Sequence, residues 1–128
     1  MTKQEIYDTV CAHLAQQKTR AMAETRCAYR GQNNTSCAVG CLIKDEEYDP
    51  LMDSVISMNV GNLFHRYPKI AERLGIDNLP MLEQLQGAHD LALDADHLKE
   101  KLQKVALCYE LKMGAEEQIN EWILTEPI

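Results

Sequence analysis

The feature that most constrains this chain is Cys37-Ala-Val-Gly-Cys-Leu-Ile43, seven residues and the longest run in the sequence without a polar side chain. Apolar at every position, it has no face to offer to water and must be covered on both sides. Its composition suits a strand. The residues before it supply a partner: Cys27-Ala-Tyr-Arg30 and then the polar Gly31-Gln-Asn-Asn-Thr-Ser36, in which Asn33 and Asn34 tolerate the positive φ of a tight turn. Residues 27–43 are therefore expected to form a β-hairpin, with Gly40 placed for the close approach of a covering helix. A bilayer span needs about 20 apolar residues, and Met1-Thr2-Lys3-Gln4-Glu5 lacks the apolar stretch of a signal peptide. A cytoplasmic protein that does not enter membranes is expected.

The rest of the chain is helical in pattern. Thr2 and Glu5 have capping-box spacing, and Ile6, Val10, Leu14 and Ala21 keep roughly one face of a helix reaching about Glu24. Lys44 to Pro50 is a polar turn. Val55, Ile56, Met58 and Val60 fit a short strand or the start of a helix equally well. Two short helices are expected at 62–67 and 68–74, with Pro68 in the first turn of the second and Gly75 as its C-cap. Pro80 opens a helix to about Ala92. Asp94 caps another that carries Leu98, Leu102, Val105 and Leu111, and Ala115 to Leu124 reads as a last amphipathic helix with Ile119, Trp122 and Ile123 inward. The expected fold is thus a single α+β domain over residues 1–128, mostly helical, its small antiparallel sheet packed by the N- and C-terminal helices.

Charge narrows the partners. The net charge is −7, which disfavours nonspecific binding to nucleic acid or anionic membrane. Residues 1–43 nevertheless carry five basic and three acidic side chains, while 44–128 carry eight and seventeen. An anion would be met by the front third, where Lys18, Arg20, Arg26 and Arg30 lie close in sequence.

Five cysteines, at 11, 27, 37, 41 and 108, are an odd number in a chain without an export signal, so free thiols are expected rather than a disulfide framework. Cys27, Cys37 and Cys41 with His65, His89 or His97 would make a zinc set. In a strand, however, Cys37 and Cys41 lie about 13 Å apart, too far to share an ion, and no metal or cofactor is expected. Of these thiols only Cys27, beside Arg26 and near Arg30, has the cationic surroundings that activate a nucleophile; Cys37 and Cys41 sit among apolar neighbours. His89-Asp90 has the dipeptide of metal-dependent phosphohydrolases without their further ligands. His13 lies between apolar residues on the first helix, and the acids from Asp45 to Asp53 form a solvated run rather than a paired-carboxylate site. No two of the six glycines fall within eight residues of each other, so there is no phosphate-cradling glycine loop.

Cys27-Ala-Tyr-Arg30, Cys37-Ala-Val-Gly-Cys-Leu-Ile43 and the following Asp45 and Tyr48 resemble a family of small proteins of unassigned function encoded by tailed bacteriophages, prophages and bacteria. The likeness covers residues 1 to about 50 and thins to Leu85-Gln-Gly-Ala-His-Asp90 beyond. It brings no catalytic residue. It implies a phage or mobile-element origin, and with that a small protein that binds and blocks something in the host cell.

Two function classes follow. One is a counter-defence protein that captures a small anionic, nucleotide-like ligand, with Arg26 and Arg30 as guanidinium forks and Tyr29 as a stacking ring. The other is an acidic inhibitor of a host protein, acting through the back two-thirds of the chain. A thiol or metal enzyme built on Cys27 is a third, and the sequence is compatible with a homo-oligomer. Arg30 has a second expected role, pairing with Asp45, Glu46 or Glu47 to hold the loop against the hairpin.

Overall fold

A capping box starts the first helix, α1 (Lys3–Gln17): the Glu5 N–H donates to Thr2 Oγ1 at 3.1 Å and the Thr2 N–H donates to Glu5 Oε1 at 2.9 Å. Its inner face is Ile6, Tyr7, Val10, Cys11 and Leu14, all buried. The helix stops short of the expected Glu24 because Lys18 turns left-handed, φ 67°. Gln17 then reaches away from the helix: its Nε2 donates to the Thr19 carbonyl at 2.7 Å and its Oε1 accepts from the Ser36 N–H at 2.8 Å. The computed structural model describes residues 1–23, 26–54 and 58–124.

Two short antiparallel ladders follow. β1 (Met22–Ala23) pairs with β2 (Arg26–Cys27), and β3 (Arg30–Gly31) pairs with β4 (Thr35–Ser36) in the register Arg30 to Ser36 and Gly31 to Thr35. The polar turn between β3 and β4 falls where the sequence places it, with Asn33 and Asn34 both at φ 60°.

Cys37–Ile43 corrects the strand expectation. It folds into a tight helical turn, with Cys41 N–H to Cys37 O at 3.0 Å and Ile43 N–H to Gly40 O at 3.1 Å. Gly40 does mark a close approach, though to backbone rather than to a helix: a Cβ there would stand 2.0 Å from the Tyr29 carbonyl oxygen. A run that is apolar on every side is buried equally well as strand or turn, so its pattern could not separate the two.

The helices from the middle of the chain keep their expected order. α2 (Leu51–Ser54) is one turn; Val55 and Ile56 lie outside the described residues, and Val60 begins α3 (Val60–Arg66) behind an Asn59 cap. α4 (Pro68–Leu74) has Pro68 in its first turn and ends at Gly75, φ 98°. α5 (Leu79–Leu91) and α6 (Ala95–Cys108) follow, the latter capped by Asp94, whose Oδ1 accepts from the His97 N–H at 2.8 Å. α6 stops before Leu111 because Glu110 is left-handed, φ 56°.

The last expected helix is not formed. Ala115–Gln118 makes one tight turn and the chain then runs extended, pairing Ile123 with Thr19. Buried Glu116 pins the turn, accepting from the Gly114 N–H at 3.0 Å and from the Tyr7 hydroxyl at 2.6 Å. Ile119 and Trp122 are buried as expected, but Ile123 is 46% exposed. The architecture is α+β and mostly helical; among the described residues there are two small two-stranded sheets and one buried cluster running from Ile6 to Trp122. Among the described residues no helix is long and apolar enough to cross a membrane.

Candidate functional site

The polar contacts of the front segment converge on Asp53 in α2, which meets both hairpins. Its Oδ1 accepts from the Tyr29 N–H at 2.7 Å, and its Oδ2 accepts from the Arg30 N–H at 3.1 Å and the Tyr48 hydroxyl at 2.5 Å. One carboxylate thus satisfies two consecutive backbone donors at the start of β3 and the tyrosine of the acidic loop. Burial, with Asp53 next, pushes the Tyr48 hydroxyl well above the usual tyrosine range.

Arg30 is held on three sides. Its Nη2 donates to the Ile43 carbonyl at 3.1 Å and to Asp45 Oδ1 at 2.9 Å, and its guanidinium carbon lies 4.5 Å from the centre of the Tyr48 ring. The arginine therefore clamps the acidic loop as one of its two expected roles requires. The Asp45 side chain is 94% exposed, so its hold on Arg30 is that of a surface ion pair.

The three residues singled out for anion binding are not brought to one place. Tyr29 is buried, its hydroxyl donating to the Met58 carbonyl at 2.7 Å. Arg26 is exposed and donates to the Asp53 carbonyl. Arg30 alone lines a cleft of about 250 Å³, together with His13, Asn34, Thr35, Ser36 and Asp45. There the His13 Nε2–H donates to the Ser36 carbonyl at 2.8 Å. Burial lowers the His13 pKa despite that bond, so the ring is neutral at pH 7 and Arg30 is the cleft's cation.

A second constellation joins Cys27, His89 and Asp90, whose ligating atoms lie within 4.8 Å of one another, the one such group among the described residues. It borders a cleft of about 290 Å³ lined also by Tyr29, Met58 and Gln86. His89 is fully buried with both nitrogens engaged: Nε2 accepts from the Ala21 N–H at 3.0 Å and Nδ1 faces Asp90 Oδ1 at 2.7 Å. An acceptor Nε2 puts the ring proton on Nδ1, where it donates to Asp90. A metal on Nδ1 would move that proton to Nε2, against the Ala21 N–H. The residues do not fit a metal while that bond stands.

The same geometry denies Cys27 a base. Burial first, then the Asp90 carboxylate, push its thiol up to about 12. Burial also raises Cys41 to about 12 and Cys37 well above its ordinary value. Cys37 Sγ accepts from the Gly40 N–H at 3.2 Å and the Cys41 thiol donates to the Ala38 carbonyl at 3.1 Å, which are structural tasks.

Sequence reasoning did not single out Asp53, which looks like one more acid in a solvated run, nor the cleft position of His13. The one available signal is that Asp45 and Tyr48 follow Arg30 within the same front segment, and the structure places Arg30 against both of them. Comparison of the chain with protein-family models, with curated proteins and with solved structures finds no match.

Proposed function

We propose that this is a small binding protein that captures an anionic, nucleotide-like ligand in the cleft at Arg30, and that a phage encodes it to remove such a ligand from the host. The observation that carries this is the state of the Arg30 guanidinium. It is oriented from behind by the Ile43 carbonyl and the Tyr48 ring, while its solvent-side partner, Asp45, is a nearly free carboxylate. A phosphate can take the place of Asp45 at low cost, because an exposed ion pair contributes only up to about 1 kcal/mol. The orientation that makes the guanidinium a good fork survives the exchange. Asn34, Thr35 and Ser36 add neutral hydrogen-bonding groups around it.

Arg26 and Tyr29 serve this site through Asp53 and the core rather than by touching the ligand. The raised thiols and the occupied His89 support binding over nucleophilic catalysis.

Calorimetric titration with inorganic phosphate, pyrophosphate and a set of linear and cyclic nucleotides tests the proposal. Saturable binding of at least one of these, abolished in Arg30→Ala and weakened in Arg30→Lys, is the expected result. Binding unchanged in Arg30→Ala, or absent across the set, would reject the cleft as an anion site.

A further inference from the structure

Between α5 and α6 lies a groove that shares no lining residue with the anion cleft. Its α5 wall is Gln84, Gly87, Ala88 and Leu91, and its α6 wall is Lys101, Lys104, Val105 and Cys108. Each wall follows the i, i+3, i+4, i+7 spacing of one helix ridge, and the groove between them holds about 420 Å³. A seven-residue ridge runs about 10 Å, which matches two turns of a helix laid alongside it.

Three details say what covers it. Leu91, at the end of the α5 ridge, is 63% exposed, an apolar side chain left in water. Gly87 sits in the interior of α5 with nothing within 4 Å of where a Cβ would be, so packing does not require it. A glycine there costs the helix about 1 kcal/mol relative to alanine and deepens the groove in return. The only charged side chains in the lining are Lys101 and Lys104, on a chain of net charge −7. Lys101 is half-buried and has no ion-pair partner among the described residues, while Lys104 meets only Glu100, at 3.4 Å within the same helix.

From this juxtaposition we propose that the α5–α6 groove docks an amphipathic helix of a partner protein, one that places apolar side chains over Gly87 and Ala88 and carboxylates toward Lys101 and Lys104. A second copy of this chain fits less well. A two-fold contact would set the face against itself, and its lining holds no carboxylate for the lysines to meet.

The probe is a fluorescein-labelled helical peptide of four turns with leucines at i, i+3, i+4 and i+7 and glutamates flanking them, read by anisotropy against the full chain. A control peptide carries lysine in place of each glutamate. The acidic peptide is expected to bind saturably and the basic one at least about tenfold more weakly, a difference of about 1.4 kcal/mol. Lys101→Glu with Lys104→Glu should reverse that preference. Gly87→Gln, which fills the groove where there is open space, and Leu91→Glu, on an exposed side chain, should each lower affinity at least about tenfold without lowering the unfolding midpoint. Equal affinity for the two peptides, no saturable binding by the wild-type chain, or full binding by Gly87→Gln would overturn the proposal. So would concentration-dependent dimerisation in sedimentation that Leu91→Glu abolishes, since the groove would then belong to a second copy.

Discussion

Asp53 ties the front segment together because three donors depend on its one carboxylate. Asp53→Ala leaves the Tyr29 and Arg30 N–H groups and the Tyr48 hydroxyl without their acceptor. A loss on the order of 3 kcal/mol is expected in urea unfolding, against less than about 0.5 kcal/mol for the exposed neighbour Glu46→Ala. Gly40 is equally intolerant for a different reason. Any Cβ would enter the Tyr29 carbonyl, whose backbone is fixed by Asp53 and by the Cys37 N–H, so Gly40→Ala should cost about 1–3 kcal/mol or more. Gly40 was legible in the sequence as a point of close approach; Asp53 was not. A carboxylate in an acidic run carries no mark of which neighbour will donate to it, because that is decided by a contact 23 and 24 residues away.

Elements were legible where local chemistry sets their ends. The Thr2–Glu5 box, Pro68, Gly75 and Asp94 each act within one turn, and each lies at the helix end it marks. Asp94→Ala should accordingly lower stability by about 1 kcal/mol in thermal unfolding. Elements fixed by distant partners were missed. Residues 115–124 have helical periodicity, yet Glu116 is drawn to Tyr7 and Ile123 to Lys18 and Thr19, so the chain is extended. Glu116 makes that choice pH-dependent. Burial works to raise its pKa, but the Gly114 N–H and the Tyr7 hydroxyl outweigh it, and the carboxyl is held below the ordinary range. Unfolded, the group returns to about 4.3. Its contribution is complete above that value and is lost as pH falls through the lowered folded value. Glu116→Gln should therefore narrow its stability gap to the wild-type chain on going from neutral pH down through the acid range, as followed by urea midpoints. A gap that stays constant would place the effect elsewhere.

At the scale of the whole molecule the class of fold followed from composition and pattern, whereas the layout of charge did not. The front third is basic in sequence, but its guanidiniums are largely occupied: Arg20 by the Ala92 carbonyl, Arg26 by Asp53 and Arg30 by Asp45. What distinguishes Arg30 is that its partner is exposed and replaceable. Capture of an anion by displacement of Asp45 therefore makes an unusual demand, that deleting an ion pair should strengthen binding. The deciding measurement is a titration of wild type, Asp45→Asn and Arg30→Ala with the same phosphate-bearing ligand at low ionic strength. Displacement predicts that Asp45→Asn binds about two- to fivefold more tightly than wild type, the equivalent of up to about 1 kcal/mol for the lost competitor, while Arg30→Ala does not bind. If Asp45→Asn binds no better than wild type, or Arg30→Ala still binds, Arg30 is a loop clamp alone and the anion site is not there.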